Sequence, residues 1–248
     1  MIDAMRSEWL KLRSVTSTIV LLCFVAGVSI GFGLLATATI QLDDASLDID
    51  VADRITFALA GVSTSLTLLA VVGVLLMTQE FRFNTIRVTF AAVPSRPRVI
   101  LAKALVIAVT ALVVSVVMVA VTTALGAAVL SARDAPIDFG LAGTARVLFG
   151  AVLLSVLYAI VGLGVGAIVR SQPLALVLVI VWPLLVEGIF GTIFPSVGKF
   201  LPFAAANAML GVDEDPDFFS PWFGAAYLAA FTVVLLVVGI VLVNRRDA

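Results

Sequence analysis

Few residues in this chain could carry chemistry, and their scarcity is informative. The 248 residues include no histidine and a single cysteine, Cys23, which lies inside an apolar run. That excludes a histidine base, a disulfide framework and any Cys/His metal cluster. No catalytic residue and no metal ligand is assigned. Glu187 is the only ionisable residue well inside an apolar segment. A paired-carboxylate mechanism would need a second acid beside it, and none lies within the segments. A carboxylate at such a depth is a functional candidate by default. The structural alternative is a protonated or paired group, with Lys199 as one partner, that orders the outer end of its segment. Trp182 and Pro183, just before it, point to a kink.

Nucleotide chemistry is missing as well. The phosphate-cradling pattern G-x-x-x-x-G-K-[ST] does not occur. Its nearest approach, Gly191 through Gly198-Lys199-Phe200, has the wrong spacing and lacks the hydroxyl that binds magnesium. No polar stretch is long enough to fold into a nucleotide-binding domain. The chain is therefore expected to bind no cofactor and not to be an enzyme by itself.

The densest polar patterning lies between Gln79 and Arg98. If its first part is helical, Phe83, Ile86, Phe90 and Val93 form one stripe, while Glu80, Asn84 and Arg87 share a polar face. Phe81 and Val88 fall outside the stripe. Pro94 and Pro97 end the helix and turn the chain back. A short amphipathic element of this kind suits docking into a groove on a partner; the alternative is a basic loop that only sets orientation. At the N-terminus, Ile2, Met5, Trp9 and Leu12 are spaced 3-4-3, with Asp3, Arg6, Lys11 and Arg13 on other faces. That predicts an amphipathic interfacial helix over 1–16 with Trp9 at headgroup depth, or else a plain positive flank.

The elements that position these residues are membrane spans. Of the chain, 62% is apolar and 12% charged, against roughly 45–50% and about 25% in soluble domains, and the mean hydropathy is +1.22. Lipid must cover much of this surface, which predicts an all-α polytopic membrane protein built as a single transmembrane domain. Six stretches reach the length of about 20 residues that a span needs: 18–40, 55–78, 100–130, 141–169, 173–194 and 221–243. Lys103 and Arg146, near the ends of the third and fourth, are expected to snorkel toward headgroups. The first stretch is read as a span, not a cleaved signal, whose apolar core is only roughly 7–15 residues. Phe200 to Leu210 is apolar but too short to cross, and reads as a re-entrant or outer-surface helix between spans five and six.

Charge sets the orientation. With six spans both termini share a side, together with the 79–99 loop and the turn Arg170-Ser171-Gln172. That side carries eleven basic residues and four acids, and the other carries four basic residues and eleven acids. The positive-inside rule then puts both termini in the cytoplasm. The acidic run Asp213-Glu214-Asp215 with Asp217 falls outside and reads as a solvated loop. In the fourth span, Gly162 and Gly166 form a G-x-x-x-G pair that allows close helix approach, expected within the subunit.

Glu80, Arg82, Thr85, Arg87 and Thr89, followed by Pro94, Arg96 and Lys103, resemble the E-x-R-x-x-T-x-R-x-T…P-x-R…K signature of ABC-2-type permeases, the membrane subunits of ABC exporters. The opening Ser7-Glu8-Trp9-Leu10-Lys11-Leu12-Arg13 is similar to that family's interfacial helix. So are Leu201-Pro202-Phe203-Ala204 and Asn207-Ala208 after the fifth span. Asn84 stands where glycine is more usual before the threonine. The resemblance implies that two six-span subunits pair, the second a copy or a paralogue, above two ATP-binding subunits that carry ATP and Mg2+. It also implies that Glu80 to Thr89, with Phe83 and Ile86, is a short cytoplasmic coupling helix between spans two and three, seated in the ATPase of a bacterial cytoplasmic membrane. No nucleic-acid partner is expected.

Two further readings stay open. A stand-alone secondary transporter or channel would carry more intramembrane polar groups, and the two three-span halves show no similarity. An ATPase-associated sensor or immunity protein would share the same layout. Cargo is unspecified by the residues; few polar groups in the spans favour a hydrophobic or amphiphilic compound such as a drug or antibiotic.

Overall fold

The computed structural model describes residues 2–40, 53–92, 95–211 and 220–245. Pro94, Val93 and the acidic run at 213–217 lie outside the described residues. Among those described, every regular element is helical and six helices are long and apolar enough to cross a bilayer. The chain is a multi-pass membrane protein.

α1 (Ile2–Ser14) stops at Val15, whose extended backbone turns the chain into α2 (Thr16–Thr39), the first span. The short α3 (Arg54–Ala58) leads into α4 (Ala60–Arg82), the second. α5 (Ile86–Ala92) is one short helix, and α6 (Arg96–Ser131) is the third span. Its 36 residues extend over about 54 Å at 1.5 Å per residue, well beyond the roughly 30 Å of a hydrocarbon core. α7 (Ala142–Val169) ends at Arg170, which takes φ 57° and sends its N–H back to the Gly166 carbonyl, a left-handed C-terminal cap. Pro173 in the first turn then starts α8 (Gln172–Val181).

The fifth span is not a regular helix. After α8 it widens into a π-helical turn, Trp182–Glu187, before α9 (Gly188–Ile193). Pro183 has no N–H to give to the preceding turn, so the ladder must re-register there. α10 (Pro195–Gly198), α11 (Pro202–Asn207) and a 3₁₀ turn (Ala208–Leu210) follow, then α12 (Pro221–Arg245), the sixth span. α11 and its 3₁₀ turn are buried at Phe203, Ala205, Ala206, Met209 and Leu210 and pack on α7 and α12.

The second and fourth spans form the centre. Over half of each is buried, against about a fifth of the first, fifth and sixth. Their contact is backbone to backbone: a Cβ on Gly73 would overlap the Ala159 carbonyl, and one on Gly162 the Ala70 carbonyl. Gly166 faces Met77 and Val74 across the same seam, and Gly164 and Gly239 set α12 against α7. Close approach of this kind replaces the hydrophobic drive that helices lack in lipid.

Two sets of contacts define the ends of the bundle. At one end Lys11 meets Glu80, Arg82 meets Gln172, Arg96 donates to the Val243 carbonyl and Arg170 to that of Leu242. Both described termini, residues 79–92 and 95–98 and the 170–172 turn therefore gather there. At the other, Arg133 donates to the carbonyls of Thr37, Ala38 and Ile40, and Arg54 to that of Pro136. They cap the C-terminal carbonyls of α2 and tie the 131–138 loop to the bundle.

Candidate functional site

The basic end holds a buried ionic cluster built from three elements. Glu8 on α1, Glu80 on the last turn of α4 and Lys103 on α6 are each more than 90% buried. Lys103 Nζ pairs with Glu8 Oε2 and, at 2.7 Å, with Glu80 Oε1. Lys11, half-exposed at the rim, donates to Glu80 Oε1 at 2.7 Å, to Glu8 Oε1 at 2.8 Å and to Thr89 Oγ1 at 3.4 Å. Two ammonium groups thus balance two carboxylates. Burial opposes the charge on Lys11, but hydrogen bonds and attraction from Glu8 and Glu80 outweigh it and raise its pKa above the ordinary 10.5. Charge-assisted bonds of this length are strong, and removing one partner would strand a charge away from water. Glu80 Oε2 is buried with no hydrogen-bond partner.

Local structure explains the placement. The buried face of α1 is Ala4, Glu8 and Leu12, spaced by four residues. Trp9 and Leu10 are exposed, as is Arg13, so the apolar side chains beyond Leu12 are free for lipid. The face turned to the bundle is thus offset from Trp9 and is drawn inward by a carboxylate. Lys103 departs from the expectation made for it. It does not snorkel outward but points into the bundle, because two buried carboxylates from α1 and α4 converge on it.

The 80–92 segment is not one continuous amphipathic helix. α4 ends at Arg82, and Phe83, Asn84 and Thr85 form a turn before α5. Asn84 takes φ 55°, the left-handed conformation that glycine and asparagine tolerate best, so asparagine serves where glycine is more usual. The break changes the helical phase and splits the expected stripe. Ile86 is buried and Phe90 packs into the core, stacked against Arg96 at 5.3 Å, but Phe83 is 65% exposed. Glu80 shares no face with Arg87: it is buried in the cluster, and Arg87 is exposed on α5 with no acid partner among the described residues.

The motif residues therefore sort into two sets. Glu80, Ile86, Thr89, Arg96 and Lys103 face the bundle; Phe83, Thr85 and Arg87 are exposed, joined by Val88 at 71% exposure. Arg82 lies between, its guanidinium 3.4 Å from Gln172 Oε1 and over the Phe83 ring. Glu8 and Val88 were not singled out from sequence. An acid at the middle of the face Ala4–Glu8–Leu12 is the signal that could have found Glu8.

Glu187 lies at the opposite end, 4% exposed. Its Oε1 accepts from Trp182 Nε1 at 3.0 Å and its Oε2 from the Ala204 N–H at 2.7 Å, and the Phe203 amide also points to it. Those amides are unsatisfied donors of the first turn of α11. The carboxylate thus fastens the short buried helix to the fifth span, and the π-helical turn aims it there. Among the described residues no group of three or more Cys, Asp or Glu could hold a metal ion.

Comparison of the sequence with protein-family models and with curated proteins finds no match.

Proposed function

We propose that this chain is the membrane-spanning subunit of an ATP-driven exporter of the ABC-2 type, with its basic end in the cytoplasm of a bacterial cell. Such a subunit needs a rigid handle that a separate ATPase can grip and whose displacement reaches the spans. The observation that carries the reading is the mounting of α5. A four-residue ionic cluster, buried but for the rim Lys11, ties the end of α4, the start of α6 and α1 together beside it. Phe83, Arg87 and Val88 are left exposed. An exposed apolar pair beside an arginine with no acid partner among the described residues has the composition of a docking anchor. The charge asymmetry between the ends supports the orientation, and the order of the motif residues supports the family.

On this reading the chain holds no nucleotide. Two ATP-binding subunits bring ATP and Mg2+, and two permease subunits, identical or paralogous, enclose the pathway. Closure of the ATPases pushes on α5, and the cluster passes the push to α1, α4 and α6 together, since stranding any one charge is costly. Spans of low polarity suit an amphiphilic or hydrophobic cargo.

The test is co-expression with a candidate ABC ATPase, co-purification, and the double variant Arg87→Glu, Val88→Glu. We expect normal membrane insertion, loss of co-purification and loss of nucleotide-driven export. Wild-type export from vesicles without any nucleotide-hydrolysing partner would refute the proposal.

A further inference from the structure

We infer that the chain carries a binding site for an anionic phospholipid under α1, with the phosphate at Arg82 and an acyl chain along α4. The inference uses the membrane placement of the bundle and not the identity of its partners.

A cleft of about 770 Å³ opens beside the ionic cluster, between α1, the last turn of α4 and the turn into α5. Its charged walls are Glu8, Glu80, Lys11, Lys103 and Arg82. The first four neutralise one another. Arg82 has no acid partner among the described residues; it has a weak contact to Gln172 and lies over the Phe83 ring. The cleft therefore has one positive charge in excess, on a guanidinium whose fork matches a phosphate.

The cleft does not end at the polar rim. Ser17, Thr18, Leu76, Gln79 and Gln172 also line a second groove of about 220 Å³, which continues along the spans past Leu21, Val72 and Leu75. α2 and α8 both pack on α4, and the groove runs over α4 between them. One continuous surface is thus cationic at the end of the bundle and hydrocarbon-like one to two turns deeper. A soluble anion would use only the first part. A phospholipid uses both, and basic pockets at this depth are where lipid headgroups bind.

The test uses the full-length chain purified alone in detergent and native mass spectrometry. Phosphatidylglycerol and phosphatidylcholine with the same acyl chains are supplied in equal amounts. We expect phosphatidylglycerol to be retained about fivefold over phosphatidylcholine, the preference one basic contact supplies. Arg82→Gln should abolish the preference, and Arg87→Gln, outside the cleft, should keep it. Leu75→Trp and Leu21→Trp, from two walls of the groove, should lower retention of both lipids; thermal unfolding identifies whichever remains folded. An excess of inorganic phosphate should displace nothing. The site is refuted by equal retention of the two lipids in the wild type, or by equal losses in Arg82→Gln and Arg87→Gln. Displacement by inorganic phosphate, unchanged retention in a folded tryptophan variant, or a lipid-free dimer that covers the cleft would each refute it too.

Discussion

Two glutamates, Glu80 and Glu187, are buried to a similar degree near opposite ends of the same bundle, and they are compensated by different means. Glu80 meets side-chain charges: the ammonium groups of Lys103 and Lys11, carried on α6 and α1. Glu187 meets fixed dipoles: the indole N–H of Trp182 and the backbone N–H of Ala204. A carboxylate held by long side chains from separate helices can exchange partners as those helices shift. One held by backbone amides cannot, since the donors are set by the helix itself. The basic end is held by side-chain charges from three helices, and the opposite end by donors fixed within the fold.

The comparison is most exposed to failure at Lys103. Lys103→Met leaves Glu8 and Glu80 buried with only the rim lysine between them. Breaking a buried pair in this way costs about 3–5 kcal/mol, to be read as a lowered unfolding temperature in detergent. The triple variant Glu8→Gln, Glu80→Gln, Lys103→Met removes both the charges and their desolvation, and should recover most of that loss. If the triple variant is as damaged as the single one, packing and not charge balance holds this end.

At the other end the expected effect is smaller and has a different signature. Glu187→Leu leaves buried donors without an acceptor, costing about 1–3 kcal/mol. Glu187→Gln keeps one carbonyl oxygen for the Ala204 N–H and should recover most of it. Amide hydrogen exchange at Ala204 should accelerate in the leucine variant and stay slow in the glutamine one. Equal damage from both would mean that Glu187 acts as a charge, and the contrast with Glu80 would collapse.

The parts of this arrangement legible in sequence are those with local causes. Six spans follow from apolar length, the irregular fifth span from Trp182-Pro183, and a short helix after it from an apolar run too brief to cross, though not that helix's burial against α7 and α12. The Gly162 and Gly166 spacing marked a face for close approach, though only the structure supplies its partners on α4. The ionic cluster was hidden for a physical reason: the bonds that tie α1 to α4 and α6 join residues 69 to 95 apart in the chain. A basic residue near a helix end looks the same in sequence whether it reaches for lipid or for a buried acid. In the N-terminal helix the 3-4-3 spacing gives the helix but not the inward position of Glu8, which depends on Lys103, 95 residues away. The turn at Asn84 also needed the structure, since the stripe from Phe83 to Phe90 reads as one helix when its break is not seen.

The smallest effect tests whether the basic end loosens from its rim. Lys11 is half-exposed, so Lys11→Met should change stability by no more than about 1 kcal/mol. Its pKa is raised in the folded chain, which fixes the sign of its pH dependence. The stabilisation is complete below the ordinary value of 10.5 and is lost as pH rises through the higher folded value. Deprotonation should therefore free the outer edge of α1 at high pH without unseating Glu8, which keeps Lys103. Limited proteolysis within α1, followed from about pH 9 upward, should show a rise in cutting in the wild type. The Lys11→Met chain should be cut at the higher rate throughout. A wild type that resists cutting across the whole range would assign the anchoring of α1 to Lys103 alone and make Lys11 a bystander.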